Sequence, residues 1–295
     1  MRRFLPAVAA AATGIQVGAA IVATRFVIGE TAPASLALLR YSIGLLCLVP
    51  PLALAPRVRI AQRDLVPIGL LGVVQFGLLI ALLNYGLARV PAARAALIFA
   101  SFPLLTVVVA TVLGEERPTA AKTAGVLLTI VGVALAIGEK GVGPGEAAGA
   151  WLGELAILSS ALAGAICSVL YRPYLRRHPT LPVSAFAMLA SVGFLALLAT
   201  GEGFFDAPPQ FTRNGWLAVL FIGVSSGVGY YLWLWALGRT TPTRVTVFLG
   251  LSPITATALG ALLLGEPVSL MLAAGLGCVV LGLWIAHHEP AIGLR

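Results

Sequence analysis

Residues 89–132 read RVPAARAALIFASFPLLTVVVATVLGEERPTAAKTAGVLLTIVG, and the same pattern returns at residues 239–282 as RTTPTRVTVFLGLSPITATALGALLLGEPVSLMLAAGLGCVVLG. Six residues with distinctive charge or backbone properties coincide when the second stretch is shifted back by 150 positions without a gap. The matched pairs are Arg89 and Arg239, Arg94 and Arg244, Pro103 and Pro253, Glu116 and Glu266, Gly125 and Gly275, and Gly132 and Gly282. This register predicts a duplicated unit, with one copy in each half of the chain.

The composition around this element is that of a membrane protein. Of the 295 residues, 59% are hydrophobic and 10% are charged, and the mean hydropathy is +1.00. A helix needs about 20 apolar residues to cross a bilayer, and ten apolar segments of about that length can be drawn. They are residues 6–28, 33–54, 65–88, 91–113, 120–137, 151–171, 181–200, 214–237, 242–264 and 268–287. The first segment continues well beyond the length of a signal peptide, so we expect it to be a spanning helix of the mature protein.

The ten segments divide into two copies of five. The first copy covers residues 1–137 and the second covers residues 151–295, with the Gly-rich linker GEKGVGPGEAAGA at 138–150 between them. Because five crossings are an odd number, the second copy starts on the opposite side of the membrane. The sequence therefore predicts an all-α membrane protein with ten transmembrane helices in two inverted five-helix repeats, an arrangement typical of secondary transporters.

The basic residues indicate the orientation of the chain. Near the ends of the segments, thirteen Lys and Arg residues fall on the side of the N-terminus and five fall on the other side, so both termini are expected in the cytoplasm. The net charge of +8 does not indicate a nucleic-acid partner, because no basic groove with interleaved aromatic residues occurs. The three cysteines lie singly in apolar segments, and no metal-binding or catalytic motif is found, so no metal, cofactor or enzymatic site is predicted.

Polar side chains inside the apolar segments are candidates for a substrate cavity, because a polar group in hydrocarbon must find a partner or water. Each of them could instead bridge two helices. The candidates are Gln16, Gln75, Asn84, Ser101, Ser159, Ser160, Ser225 and Ser226. Tyr230 belongs to an aromatic group in the eighth segment, which either forms an interfacial belt or contributes a ring that stacks on the substrate.

Arg40 is a charge inside the second segment that has no counterpart in the other copy. An ionisable residue within a spanning helix indicates a functional role, whereas a long side chain near a helix end can also snorkel to the surface. The sequence leaves both interpretations open.

Two further pairs belong to the repeat itself. Pro103 and Pro253 lie near the middle of the fourth and ninth segments, where each would free a backbone carbonyl and bend its helix, as a hinge or as ordinary curvature. Glu116 and Glu266 precede the fifth and tenth segments, and we expect each to cap the helix that follows it.

The repeated element resembles the EamA-type repeat of the drug/metabolite transporter superfamily. The resemblance rests on the mid-helix proline, the Gly and Glu at the helix end and the Gly-containing apolar helix that follows, in residues 102–132 and 252–282, and on LLRYSIG at residues 38–44. Within the superfamily the chain is most similar to YddG-type aromatic amino-acid exporters. The resemblance implies ten helices in two inverted repeats and the export of small metabolites, often amino acids. Gln16 stands in the helix where small multidrug members carry a carboxylate, which favours facilitated efflux over proton exchange.

These observations predict an inner-membrane exporter of small amphipathic metabolites, most of all amino acids, that works by alternating access. Its expected partners are a small-molecule substrate and the lipid bilayer, and the expected state is a monomer. The alternatives are an ion-coupled efflux carrier for drugs or other metabolites, a membrane-embedded enzyme that modifies lipids, and a helical scaffold without transport activity.

Overall fold

The computed structural model describes residues 5–55, 60–115, 119–138 and 150–287, and all regular structure within these ranges is helical. The α-helices are α1 Leu5–Val27, α2 Pro33–Leu54, α3 Gln62–Gly72, α4 Leu79–Leu87, α5 Ala92–Phe99, α6 Phe102–Val112, α7 Ala120–Gly138, α8 Ala150–Leu170, α9 Arg172–Arg177, α10 Thr180–Gly201, α11 Arg213–Leu237, α12 Pro242–Thr246, α13 Leu251–Leu264 and α14 Leu270–His287. A 3₁₀ segment follows α1 at Ile28–Glu30, a π-helical segment joins α3 to α4 at Val73–Leu78, and a second 3₁₀ segment joins α12 to α13 at Val247–Gly250. The prediction of an all-helical protein is confirmed for the described residues.

Seven helical stretches are long and apolar enough to cross a membrane. They are Val8–Glu30, Pro33–Leu54, Gln62–Leu87, Ala92–Val112, Ala150–Arg177, Thr180–Gly201 and Arg213–Leu237. Three further apolar helices are shorter and lie at Thr123–Leu135, Phe248–Leu264 and Leu270–Gly282. Such sequences form helices because hydrocarbon offers no hydrogen-bond partners. In a helix the backbone N–H and C=O groups bond to one another within the segment.

Two of the connections between the predicted segments are the linker between the copies and the residues after the sixth segment. The Gly-rich linker predicted at 138–150 lies outside the described residues except at its ends, where Gly138 closes α7 and Ala150 opens α8. Residues 172–180 fall between the sixth and seventh predicted segments, but Arg172–Arg177 within them forms α9. Pro173 lies in its first turn, where the missing N–H costs no hydrogen bond and the fixed φ angle already suits a helix.

In each half of the chain, a helix is interrupted just before a proline. Pro103 is the second residue of α6 and follows a turn at Ala100 and Ser101 that separates α6 from α5. Pro253 is the third residue of α13 and follows the 3₁₀ segment Val247–Gly250. Proline fits the first turn of a helix but cannot donate to the carbonyl one turn earlier. Where the sequence predicted bends, the structure therefore has breaks at matching places.

Helix packing between the two halves comes in matched sets. The 150-residue shift exchanges α1 with α8, α2 with α10, α3 and α4 with α11, α5 with α12, α6 with α13, and α7 with α14. In agreement with this exchange, α1 packs on α11 and α13, while α8 packs on α4 and α6. Similarly, α2 packs on α11 while α10 packs on α3, and α5 packs on α13 while α12 packs on α6. The pairs α2–α10 and α7–α14, which the shift maps onto themselves, are each in direct contact.

The repeated glycines make the closest contacts between α7 and α14. A Cβ atom added at Gly132 would lie 2.6 Å from the carbonyl oxygen of Gly275, and one added at Gly282 would lie 2.6 Å from the carbonyl oxygen of Gly125. The repeat register pairs residue 125 with 275 and residue 132 with 282, so the two contacts are equivalent. Small residues at such positions let helix backbones approach closely in a membrane.

Glu266 joins the two halves at one end of the bundle. Its carboxylate accepts hydrogen bonds from the backbone N–H groups of Ala92 at 2.9 Å and Ala93 at 3.2 Å, at the start of α5. The prediction that it caps the helix it precedes is therefore wrong, since Ser269 caps α14 by accepting from the N–H of Leu272. The first N–H groups of α5 lack partners within their own helix, and Glu266 supplies them from across the bundle. Glu116, its counterpart, lies outside the described residues.

Candidate functional site

A cavity lies where the two halves of the chain meet. Its volume is about 40 Å³, which is room for a few water molecules. Helices α1, α2, α4 and α11 form its wall, together with the residues beside the two helix breaks. The lining residues are Thr13, Gln16, Val17, Ala20, Ile21, Thr24, Arg40, Ile80, Leu83, Phe99, Phe102, Gly229, Tyr230, Trp233 and Leu249. Phe99 and Phe102 flank the break between α5 and α6, and Leu249 belongs to the 3₁₀ segment before α13.

Arg40 is the one charged residue in this lining. Its side chain does not snorkel to the surface, because only 5% of the residue is exposed. Its Nε atom donates a 2.6 Å hydrogen bond to the hydroxyl of Ser226, which lies near the middle of the 25-residue α11. The Ser226 hydroxyl in turn donates to the carbonyl oxygen of Ile222. The guanidinium group is therefore fixed at a buried position beside the cavity.

Gln16 is the second strongly polar residue of the lining, and it stands midway along α1. Its Nε2 atom donates a 3.2 Å hydrogen bond to the hydroxyl of Ser225. A Cβ atom at Gly229 would lie 2.5 Å from the Oε1 atom of Gln16, so a larger residue there would displace the amide from its present position. Neighbouring serines of α11 thus hold the two cavity residues, Ser225 the amide and Ser226 the guanidinium.

Aromatic side chains form much of the remaining wall. The ring centres of Phe99 and Phe102 are 5.5 Å apart, and those of Phe102 and Trp233 are 6.0 Å apart. Tyr230 lies one helical turn before Trp233, and its ring centre is 4.4 Å from that of Phe76. The eighth-segment aromatics were expected either in an interfacial belt or in the cavity, and these two line the cavity. Such rings offer flat apolar surfaces on which another ring can pack.

The other predicted site residues lie elsewhere. Asn84 donates a 2.9 Å hydrogen bond to the carbonyl oxygen of Pro33 at the start of α2, so it bridges helices. Gln75 is buried in the π-helical segment, and Ser101 is buried in the turn between α5 and α6. Ser159 is half-buried on α8, and its neighbour Ser160 is buried beside it. None of these five residues is among those that line the cavity.

The structure adds polar residues that the sequence interpretation did not select. Thr13 and Thr24 line the cavity on the same face of α1 as Gln16. The hydroxyl of Thr13 donates to the carbonyl oxygen of Ala9 at 2.9 Å, whereas the buried hydroxyl of Thr24 has no hydrogen-bond partner in the described part of the chain. Thr13 and Thr24 lie three and eight residues from Gln16, and these spacings are the signal that identifies this face. Phe99 and Phe102 carry no such signal, because apolar rings are equally common on lipid-facing surfaces.

The chemistry of the cavity suits a small molecule that combines a negative group with an apolar ring. Arg40 presents a guanidinium group that can hold a carboxylate by two parallel hydrogen bonds. The aromatic wall can bury a ring, and the Thr24 hydroxyl can accept a hydrogen bond from an ammonium group. Among the described residues, no group of three His, Cys, Asp or Glu side chains could hold a metal ion. The absence of a cofactor and of catalysis stays a prediction.

Comparisons with known proteins found a matching transporter family and individual relatives. A family model described as the EamA-like transporter family matches residues 5–138 and again residues 151–287. The chain is 32% identical over 217 residues to a probable terminal-alkyne amino-acid exporter of Streptantibioticus cattleyicolor, covering 72% of this chain and 70% of that protein. It is 29% identical over 170 residues to the aromatic amino acid exporter YddG of Ancylobacter novellus, covering 57% of this chain and 58% of that protein. One solved crystal structure has a similar fold, with a TM-score of 0.73 at 24% identity over 94% of this chain and 95% of that one.

Proposed function

This chain belongs to the EamA-like transporter family, and from that premise we propose that it exports amino acids, aromatic ones above all, or closely related small amphipathic metabolites. The observation that carries the proposal is the buried Arg40 in a cavity walled by aromatic rings. The relatives named as amino-acid exporters support the same substrate class. The substrate's carboxylate would pair with Arg40 while its side chain packs against Tyr230 and Trp233.

We also propose that ten helices span the membrane as two inverted five-helix repeats. The seven longer spans and the three shorter apolar helices together make ten. The matched packing sets and the equivalent glycine contacts of α7 and α14 support the pseudo-two-fold relation. In such carriers the substrate lies near the middle of the membrane between the repeats. We further propose that the protein is a monomer in a bacterial-type inner membrane, with both termini in the cytoplasm.

Transport then proceeds by alternating access. Ligand pockets usually measure about 300–1,000 Å³, so a cavity of about 40 Å³ must open before an amino acid can enter. The helix breaks beside Phe99 and Leu249 provide positions at which α5–α6 and α12–α13 can bend. Since the lining includes Arg40 but no Asp or Glu, we propose facilitated export without a carboxylate proton relay.

Counterflow in proteoliposomes tests this function. Vesicles loaded with unlabelled phenylalanine are expected to accumulate labelled phenylalanine or tryptophan transiently, with or without a pH gradient. A labelled cationic drug is expected to show no such accumulation, because Arg40 repels a cation and no lining carboxylate attracts it. Counterflow of the drug without counterflow of any amino acid would favour the efflux-carrier alternative, and dependence on a pH gradient would contradict facilitated export.

Replacing both Pro103 and Pro253 by Ala is expected to slow transport about tenfold, because each change restores a backbone N–H that can close the break by a hydrogen bond of about 1 kcal/mol. Substrate affinity should change much less, since neither proline lines the cavity. Initial counterflow rates and equilibrium binding, measured on the same preparations, separate the two effects. Pro50→Ala is the matched control, because Pro50 is an exposed proline inside α2. An unchanged transport rate in the double variant would show that the two prolines shape their helices but do not act as hinges.

A further inference from the structure

Arg40 has unused hydrogen-bonding capacity beside the cavity. A guanidinium group carries five N–H donors, and one of them is used by the bond from Nε to Ser226. Ser226 can accept this bond because its own hydroxyl hydrogen is directed to the carbonyl oxygen of Ile222. The other four N–H groups have no acceptor among the described residues, although the residue is 5% exposed. An acceptor for them must therefore come from within the cavity.

The charge of Arg40 also lacks a counter-ion within the described part of the chain. Arginine stays protonated in proteins, so the charge cannot be removed by deprotonation. The polar neighbours in the lining, Thr13, Gln16, Thr24 and Tyr230, are neutral. The Tyr41 ring, with its centre 5.7 Å from the guanidinium carbon, offers only a partial compensation. A buried cation without a partner is unfavourable in a low-dielectric surrounding.

The acidic residues that could have supplied the counter-ion are already engaged. Glu202 accepts hydrogen bonds from the N–H groups of Ala34 and Ser35 at the start of α2. Glu266 binds the start of α5 and lies 3.9 Å from Arg25. Both carboxylates are therefore engaged at the starts of α2 and α5.

We propose that Arg40 binds a small inorganic anion of the size of chloride when no substrate occupies the cavity, and that the substrate's carboxylate displaces it. The cavity of about 40 Å³ is too small for an amino acid but admits an ion of roughly the size of water. The proposal rests on the proposed function only for the identity of the displacing ligand. The anion and the substrate's carboxylate would then compete for the guanidinium group of Arg40.

The experiment uses the full-length purified protein in a methanesulfonate solution, which contains no carboxylate, with chloride replacing methanesulfonate at constant ionic strength. Chloride alone is expected to raise the unfolding midpoint, because a ligand that binds only the folded state stabilises it. Chloride should also weaken phenylalanine binding competitively. With an anion Kd of ~40 mM, the apparent Kd of phenylalanine would rise about fivefold at ~150 mM chloride.

Two variants locate the site. Arg40→Gln should lose both chloride effects, whereas Arg213→Gln, the same change at an exposed position, should retain both. If Arg40→Gln does not fold, Arg40→Lys keeps the cation and should keep the competition. Crystals grown in bromide should then show an anomalous peak within hydrogen-bonding distance of the wild-type guanidinium.

The outcomes distinguish the anion site from the proposed function. Tight phenylalanine binding that is insensitive to chloride would overturn the anion site and leave the export of amino acids intact. A chloride-dependent midpoint without any amino-acid binding would support the anion site and contradict the proposed substrate. Chloride effects that persist in Arg40→Gln, or a bromide peak only at another position, would overturn the assignment to Arg40.

Discussion

Arg40→Gln is expected to weaken the binding of a carboxylate-bearing substrate by roughly 30- to 150-fold. This range corresponds to about 2–3 kcal/mol, the usual value of hydrogen bonds to a charged group. The wild-type guanidinium is already oriented by Ser226, so little conformational freedom is lost when a carboxylate binds. Glutamine can donate hydrogen bonds from one amide nitrogen but supplies no positive charge. Equilibrium binding of labelled phenylalanine to the purified protein measures the effect.

Two comparisons identify its cause. Arg40→Lys retains the charge but loses the planar pair of donors, so an intermediate loss of about tenfold is expected. Phenethylamine has the ring and the amine without the carboxylate, and its affinity for Arg40→Gln should be no lower than for the wild type, because the variant removes a positive charge that repels the ammonium group. Arg213→Gln controls for the loss of one positive charge from an exposed position. Equal losses for both ligands would end the carboxylate hypothesis, and a parallel fall in the unfolding midpoint would point to a structural role.

The identity of the cavity residues was only partly predictable from the sequence. Arg40, Gln16 and Tyr230 are conspicuous as polar or amphipathic groups in apolar helices, and all three line the cavity. Gln75 and Asn84 are equally conspicuous, yet Asn84 bonds to the end of α2 and Gln75 lies in a π-helical segment. Residue type indicates that a side chain must avoid lipid. Which interior surface it faces depends on helix rotation and on neighbours far away in the chain.

For the fold too, features set by neighbouring residues were predictable from the sequence, whereas contacts between distant residues were not. The prolines predicted an irregularity in two helices because the lack of an N–H acts within one turn. The role of Glu266 was wrongly predicted because its partner, the start of α5, lies more than 170 residues away in the sequence. The 150-residue register identified Gly132 and Gly282 as counterparts, but it could not show that each meets the opposite glycine of the same helix pair.

The contact between α7 and α14 leads to the second large effect that we expect, a loss of stability in Gly132→Ala and in Gly282→Ala. In each variant the new Cβ atom would lie 2.6 Å from a carbonyl oxygen, that of Gly275 or that of Gly125. Backbone atoms cannot move aside without separating the helices, and overpacking of this kind costs about 1–3 kcal/mol. Thermal unfolding in detergent should show a midpoint lower by about 2–10 °C for each variant.

Gly277→Ala is the matched control, because it makes the same change on α14 where no atom lies within 4 Å of the added Cβ. Alanine favours a helix over glycine by up to about 1 kcal/mol, so this variant should be as stable as the wild type or more so. Gly132 and Gly282 occupy counterpart positions with the same Cβ-to-oxygen distance. The proposed pseudo-two-fold relation between the copies therefore predicts nearly equal losses for the two variants. A loss in only one of them would contradict an equivalent contact, and a midpoint lowered equally by Gly277→Ala would show that glycine matters here for reasons other than close packing.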